Sequence, residues 1–153
     1  MRALAVALVL LLSPRVACAE ELAPYRIENG EIRASLTGKT GDPARGRVIV
    51  AERQKGLCLL CHTAPIPEER FQGDLAPPLA GVGARMSEGA IRLRMVDGAK
   101  VNPETIMPAY YRTEGLTRVA PAFRGKPILE ASEIEDVIAY LMSLKGDAPG
   151  PMK

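Results

Sequence analysis

Five consecutive residues, Cys58-Leu59-Leu60-Cys61-His62, set two thiols two residues apart with an imidazole abutting the second, and His62 is the only histidine in the chain. Thiols at this spacing add across the two vinyl groups of a porphyrin, and the adjoining histidine lies against the iron. C-x-x-C-H is therefore the attachment signature of c-type haem. Three other chemistries draw on the same residue types. A thioredoxin-like dithiol expects a strand before the cysteines and a helix after them, and the sequence around Cys58 offers neither. A zinc site needs four ligands, and one histidine with a third cysteine far upstream at Cys18 leaves the set short. A Cys58–Cys61 disulfide would suit an exported protein but leaves the abutting histidine unexplained. One covalently held haem per chain, attached at Cys58 and Cys61 with His62 on the iron, is the expectation.

A single histidine excludes a bis-histidine haem within one chain, so the sixth position falls to methionine, lysine, water or a partner's group. Met86, Met95, Met107, Met142 and Met152 are available beyond the N-terminal segment. Met95 falls on the inward face of a helical pattern, where a thioether commonly fills core space. Met107 stands apart. Asn102-Pro103-Glu104 can cap a short turn before it, and Pro108 disfavours the α region for the residue it follows. A loop stiffened from both sides can hold a thioether over a haem face. Met107 is the expected axial ligand, with Met86, Met95 or an exchangeable position as the alternatives. A stable His/Met pair suits electron transfer, whereas a vacant position suits ligand or peroxide chemistry. A backbone carbonyl at Pro77 or Pro78 would accept the Nδ1 proton of His62 and fix the ring, with Leu79 against the porphyrin edge.

The elements that must position these groups read as helices. Asp42-Pro43 is a helix start, with a capping residue followed by proline at the first position, and the helix is expected to run to about Lys55 before Gly56. Gly46 lies mid-helix beside Ile49 and Val50, which suggests that another backbone or ring packs closely there, Tyr140 being one candidate. Residues 87–96 form a shorter helix with Ile91 and Met95 inward, stopped by Asp97-Gly98. Ile134, Val137, Ile138, Leu141 and Leu144 recur at helical spacing, with Ser132 and Glu135 as an expected capping box. Many prolines forbid long strands. Residues 20–41 are turn-rich with no helical period and read as an extended arm offering a surface to a partner.

The N-terminus has the form of an export signal. Arg2 is its charged region, residues 3–12 are apolar but too few to span a bilayer, and Ala17-Cys18-Ala19 satisfies the small-x-small cleavage rule. Cleavage between Ala19 and Glu20 discards Cys18 and places the protein in a bacterial periplasm. Cys18 kept as a lipidated terminus is the competing reading, disfavoured by Arg15 where a lipoprotein signal has an aliphatic residue. Of 20 basic residues, Arg2 and Arg15 fall in the leader, which leaves 18 against 18 acidic ones. That neutral balance gives no footing for nucleic-acid binding or for a strongly cationic docking face. Aromatic content is 4% with no tryptophan, so a porphyrin would supply core bulk that side chains do not.

The run Thr-Gly-Lys-Thr-Gly-Asp-Pro-Ala-Arg-Gly-Arg at 37–47, the haem motif, Ala-Pro-Pro-Leu-Ala-Gly-Val-Gly-Ala-Arg at 76–85, the stretch 102–110 ending Met107-Pro108-Ala109-Tyr110, and Ile128-Leu129 leading into Ile134-Glu135-Asp136-Val137 resemble the SoxX family. These are the monohaem cytochrome subunits of the SoxAX complex of sulfur-oxidising bacteria. The likeness covers residues 25–146 and departs at Ala76, where such proteins commonly carry glycine.

The resemblance implies an all-α, class I cytochrome c-like domain at 42–146, preceded by the irregular arm at 20–41 and the signal at 1–19 and followed by a flexible tail at 147–153. It implies haem c on Cys58 and Cys61 with axial His62 and Met107, and a heterodimer with a SoxA cytochrome. In such a complex thiosulfate is joined oxidatively to a cysteine of the SoxYZ carrier. The sulfur chemistry lies on SoxA, and this chain passes electrons to a small cytochrome c. Neither a free cysteine nor a second histidine remains after processing to act as nucleophile or base. A free-standing periplasmic carrier is the alternative, and a peroxidase becomes serious only if Met107 does not bind.

Overall fold

The computed structural model describes residues 22–146; the signal segment, Cys18, Met152 and the tail lie outside the described residues. Four α-helices, α1 (Pro43–Ala51), α2 (Val82–Arg85), α3 (Glu88–Asp97) and α4 (Ala131–Ser143), are joined by long loops that contain three short 3-10 turns. Among the described residues there is no strand, only an isolated bridge between Glu28 and Glu31. The fold is all-α and of the class I cytochrome c type.

Helix α1 begins as its sequence dictates. The Asp42 carboxylate accepts from the backbone N–H groups of Ala44 at 2.7 Å and Arg45 at 3.3 Å, ahead of Pro43 at the first helical position. It stops earlier than the sequence suggests, at Ala51. Residues 52–56 fold back through a turn in which Gly56 N–H donates to Glu52 O at 2.9 Å. The reason is steric: a Cβ on Gly56 would lie 2.1 Å from the Ile49 carbonyl oxygen, so the chain is laid directly over the last turn of α1.

Helix α3 is capped by Ser87, whose Oγ accepts from Ala90 N–H at 3.1 Å, and buries Ile91 and Met95 as expected. Helix α4 differs from expectation at its start. The capping box is Glu130 with Glu133, not Ser132 with Glu135, and Glu130 N–H donates to the Glu133 carboxylate at 3.0 Å. Glu135 is unavailable for capping because it faces inward. Its carboxylate receives a two-pronged hydrogen bond from Arg92 of α3, at 2.8 and 2.9 Å.

The packing centres on α4. Ile134, Val137, Ile138 and Leu141 are buried, and α1 crosses the same helix so closely that a Cβ on Gly46 would stand 1.9 Å from the Asp136 carbonyl oxygen. The three nearest atoms to that position are all backbone of Asp136 and Val137, so main chain is what the glycine meets first. Gly41 and Gly83 approach in the same way, 2.1 Å from Glu135 O and 2.5 Å from Met142 O. Asp136 in turn is gripped by Arg45 at 2.7 and 2.8 Å and by the Asp42 backbone N–H at 2.6 Å.

The arm is ordered against this body. Ile32 is fully buried and Leu36 nearly so, Ile32 N–H donates to Gly89 O at 3.1 Å, Arg92 donates to Ile32 O at 2.8 Å, and Leu36 N–H donates to Glu135 at 2.9 Å. Residues 28–36 thus belong to the packed unit even though they precede Asp42. Tyr25 and Ile27 remain outward.

The helix crossing carries a direct expectation. Gly46→Ala places a methyl group inside van der Waals contact with a backbone that cannot swing away, and it should lower the unfolding free energy by about 3 kcal/mol, the upper end of ordinary overpacking. Gly98→Ala, whose Cβ meets only Thr105 Cγ2 at 3.7 Å, should stay near wild type in the same denaturant titration.

Asp136 sets an acid limb on stability. Burial acts to raise its pKa, but Arg45 and the Asp42 N–H outweigh it and hold the carboxyl below its ordinary value. A depressed carboxyl contributes stability that is complete above the unfolded pKa, near 3.8, and is lost as pH falls through the lower folded value. Melting temperature should therefore fall below about pH 4, and Asp136→Asn should flatten that limb while lowering the neutral-pH plateau.

Candidate haem-attachment site

The two thiols flank one 3-10 turn, Cys58–Leu60, which Cys58 opens and Cys61 caps, and which is entered through Leu57 at φ 58, a left-handed conformation that a leucine adopts only when its surroundings impose it. Closing bonds run from Cys61 N–H to Cys58 O at 3.2 Å and from His62 N–H to Cys58 O at 2.9 Å. Cys58 is buried and Cys61 half-buried, and both are free thiols.

The second wall of the site is the proline loop. Ala76 N–H donates to Cys61 O at 3.0 Å and Leu79 N–H to Thr63 O at 2.8 Å, so residues 76–79 lie alongside 61–63. Between them Pro77 O lies 2.7 Å from Nδ1 of His62. A carbonyl only accepts, so Nδ1 carries the proton and Nε2 is the nitrogen with a lone pair for a metal. The sequence expectation of a carbonyl at Pro77 or Pro78 resolves to Pro77, and Leu79 is buried beside it.

Burial pushes the Cys58 thiol up to about 11. A reactive dithiol needs the reverse, a depressed pKa, so the thioredoxin-like reading has no support in this environment. No set of three or more His, Cys, Asp or Glu side chains among the described residues converges on a metal position. The donor chemistry fits a haem: two unbridged thiols on one turn and an imidazole with one nitrogen oriented and the other free.

Met107 arrives on a separate loop. Asn102 Oδ1 accepts from Glu104 N–H at 3.1 Å, Thr105 N–H donates to Asn102 O at 3.1 Å, and Met107 N–H donates to Thr105 Oγ1 at 3.2 Å, giving a tight run up to Pro108. Beyond it the chain is fastened to α3, with Tyr110 N–H donating to Met95 O at 2.9 Å and Tyr111 N–H to Val96 O at 3.3 Å. Met107 is half-buried and packs on the core; Met86 and Met142 do likewise, and Met95 is fully inside.

The structure thus brings Cys58, Cys61 and His62 together in one turn and joins the Met107 loop to that turn through Tyr110. The Tyr110 hydroxyl donates to Gly56 O at 2.6 Å, two residues before Cys58. A cavity of about 480 Å³ on the Met107 loop, lined also by Arg112 and Phe123, includes neither cysteine nor His62 and is separate from the attachment turn.

Three supporting residues were not singled out from sequence. Gln72 accepts from Ala64 N–H at 2.6 Å and donates to Ile66 O and Glu69 O at 3.0 and 2.9 Å, bracing the loop after His62. Arg85 ties Ala80 O and Pro78 O at 2.6 and 2.8 Å. Tyr110 closes the site at Gly56. An amide, a guanidinium and a phenol that act on backbone carbonyls leave no spacing pattern to find.

The ligand assignment has a spectroscopic readout. Met107→Ala should abolish the weak long-wavelength methionine-to-iron absorption band of the ferric holoprotein, while Met86→Ala leaves it in place. A band that survives in Met107→Ala assigns the sixth position elsewhere.

No protein-family model and no curated protein sequence matches the chain. Among solved structures, a chain of SoxXA from P. pantotrophus is 37% identical with a TM-score of 0.73, the match covering 79% of this chain and 94% of that one. The c-type cytochrome SorU from Sinorhizobium meliloti is 25% identical over 68% of this chain and 91% of its own, with a TM-score of 0.44, too distant in shape to add to the argument. Identity of this order over nearly the whole length of the P. pantotrophus chain goes beyond a shared haem motif, and it settles the family: the chain belongs to the SoxX family of c-type cytochromes.

Proposed function

We propose that this chain is the electron-transfer subunit of a SoxAX-type L-cysteine S-thiosulfotransferase. The observation that carries the reading is the likeness to SoxXA over 94% of the matched chain. Haem c held by Cys58 and Cys61, with His62 and Met107 as axial ligands, supplies a one-electron ferric/ferrous couple. His62 is oriented for this by Pro77, and the Met107 loop by Asn102, Thr105 and Tyr110.

The reaction assigned to the complex forms a bond between the terminal sulfur of thiosulfate and the sulfur of a SoxYZ cysteine. The cysteine loses its proton, and two electrons leave. A monohaem subunit takes them one at a time from a SoxA cytochrome and passes them to a small cytochrome c. Residues 20–153 hold two cysteines and one histidine, and with these taken by the haem in this reading the sulfur-bonding step falls to the partner. Export to the periplasm, with cleavage between Ala19 and Glu20, supplies the compartment. No helix among the described residues is long and apolar enough to cross a membrane.

Native purification tests the assignment. The chain should copurify with a second haem-bearing subunit, and the complex should become reduced on addition of thiosulfate only when SoxYZ is supplied. A monomer that stays oxidised in that mixture would mark a free-standing periplasmic carrier instead.

A further inference from the structure

Two donors meet at the buried carbonyl of Gly56. The Cys58 sulfur lies 3.2 Å from it and the Tyr110 hydroxyl 2.6 Å. Tyr110 is 2% exposed, and its own backbone is held on both sides: its N–H donates to Met95 O at 2.9 Å, and its carbonyl accepts from Ile128 and Leu129 at 2.9 and 3.3 Å. The carbonyl is equally constrained. Gly56 lies against the Ile49 carbonyl where no Cβ fits, and Leu57 takes φ 58, the conformation that turns the chain into the cysteine turn. A left-handed leucine is a local strain kept by its surroundings, and here it aims one carbonyl at one phenol.

We propose that Tyr110 is a positioning residue that couples haem attachment to the set of the Met107 loop through the Gly56 carbonyl; the inference rests on the reading of Met107 as axial ligand. Tyr110 follows Met107 by three residues and Gly56 precedes Cys58 by two, so this single hydrogen bond spans the two halves of the site. Thioether formation would add the Cys58 S–H across a vinyl group, the sulfur bonding to one carbon and the hydrogen going to the other, so that the S–H donor is gone. Of the two donors, only the phenol then remains, and a buried carbonyl left without a donor costs free energy. Attachment at Cys58 therefore strengthens the demand of Gly56 for Tyr110, and with it the hold on the loop that carries Met107. By linkage, a loop seated by Tyr110 favours the attached form of the turn.

The test uses ferric holoprotein and imidazole, which competes with the methionine for the iron. A less firmly seated loop raises the apparent affinity of the competitor in proportion to the open fraction. Tyr110→Phe should bind imidazole about three- to tenfold more tightly than wild type, the range that one net hydrogen bond supplies, and should lose the methionine-to-iron band at a lower pH. Tyr111→Phe is the control, because its hydroxyl accepts from Ala23 N–H of the arm at 2.8 Å and not from the turn; it should bind imidazole as wild type does. Leu57→Ile approaches from the other side. A β-branched residue resists positive φ, so this variant should move imidazole affinity in the direction of Tyr110→Phe with the phenol intact, and it serves if Tyr110→Phe yields no holoprotein. Wild-type affinity in Tyr110→Phe, or an equal gain in Tyr111→Phe, overturns the coupling while leaving the ligand and the complex assignment standing. A wild-type protein that lacks the methionine band overturns the ligand reading and this inference together.

Discussion

The main chain of α4 is the surface on which the rest of the protein is assembled. Three glycines, Gly41, Gly46 and Gly83, come so near its carbonyls that no side chain fits between. The same helix turns two carboxylates inward, Glu135 and Asp136, each 4% exposed or less. Burying two charges one residue apart is tolerable only because each meets a guanidinium in two-pronged geometry, Arg92 from α3 and Arg45 from α1. Replacing either arginine would leave a buried carboxylate unpaired, the expensive case. The ion pairs therefore specify which helix lies on which side of α4, and the glycines specify how closely.

The site is suspended from those two helices. The end of α1 leads through the fold-back at Gly56 into the cysteine turn, so the α1–α4 crossing determines where Cys58 stands. The last carbonyls of α3, at Met95 and Val96, receive the N–H groups of Tyr110 and Tyr111, so the α3–α4 contact determines where the Met107 loop is anchored. Two loops without regular structure of their own are placed by helices clasped to a third, and Tyr110 ties the two across the gap.

What the sequence reveals follows from how local each cause is. The Asp42 cap and most of the inward face of α4 rest on residues within a few positions of one another, and they are found where capping and periodicity place them, though Leu144 falls just past the helix end. Gly46 is legible as a close-approach glycine from its place mid-helix, but its neighbour is not: it meets the backbone of Asp136 and Val137, and nothing near residue 46 encodes that. The capping box was misplaced for a similar reason. Glu135 suits a cap by local spacing, but a buried Arg92, 43 residues earlier, has the stronger claim on its carboxylate. The early stop of α1, the seating of Ile32 and Leu36 under Arg92, and the bracing by Gln72 and Arg85 likewise depend on long-range partners.

The aromatic residues show how far the fold and the cofactor are one design. Of two phenylalanines, Phe71 is 84% exposed and Phe123 is only partly covered, and the chain has no tryptophan; the buried rings are Tyr110, Tyr111 and Tyr140. A c-type cytochrome of this composition draws its largest apolar body from the porphyrin and uses its own rings for hydrogen bonds as much as for bulk. Tyr111 reaches the arm at Ala23, and Tyr110 reaches the turn at Gly56. One buried ring thus closes the core and braces the attachment turn at once, while its neighbour in sequence fastens the arm.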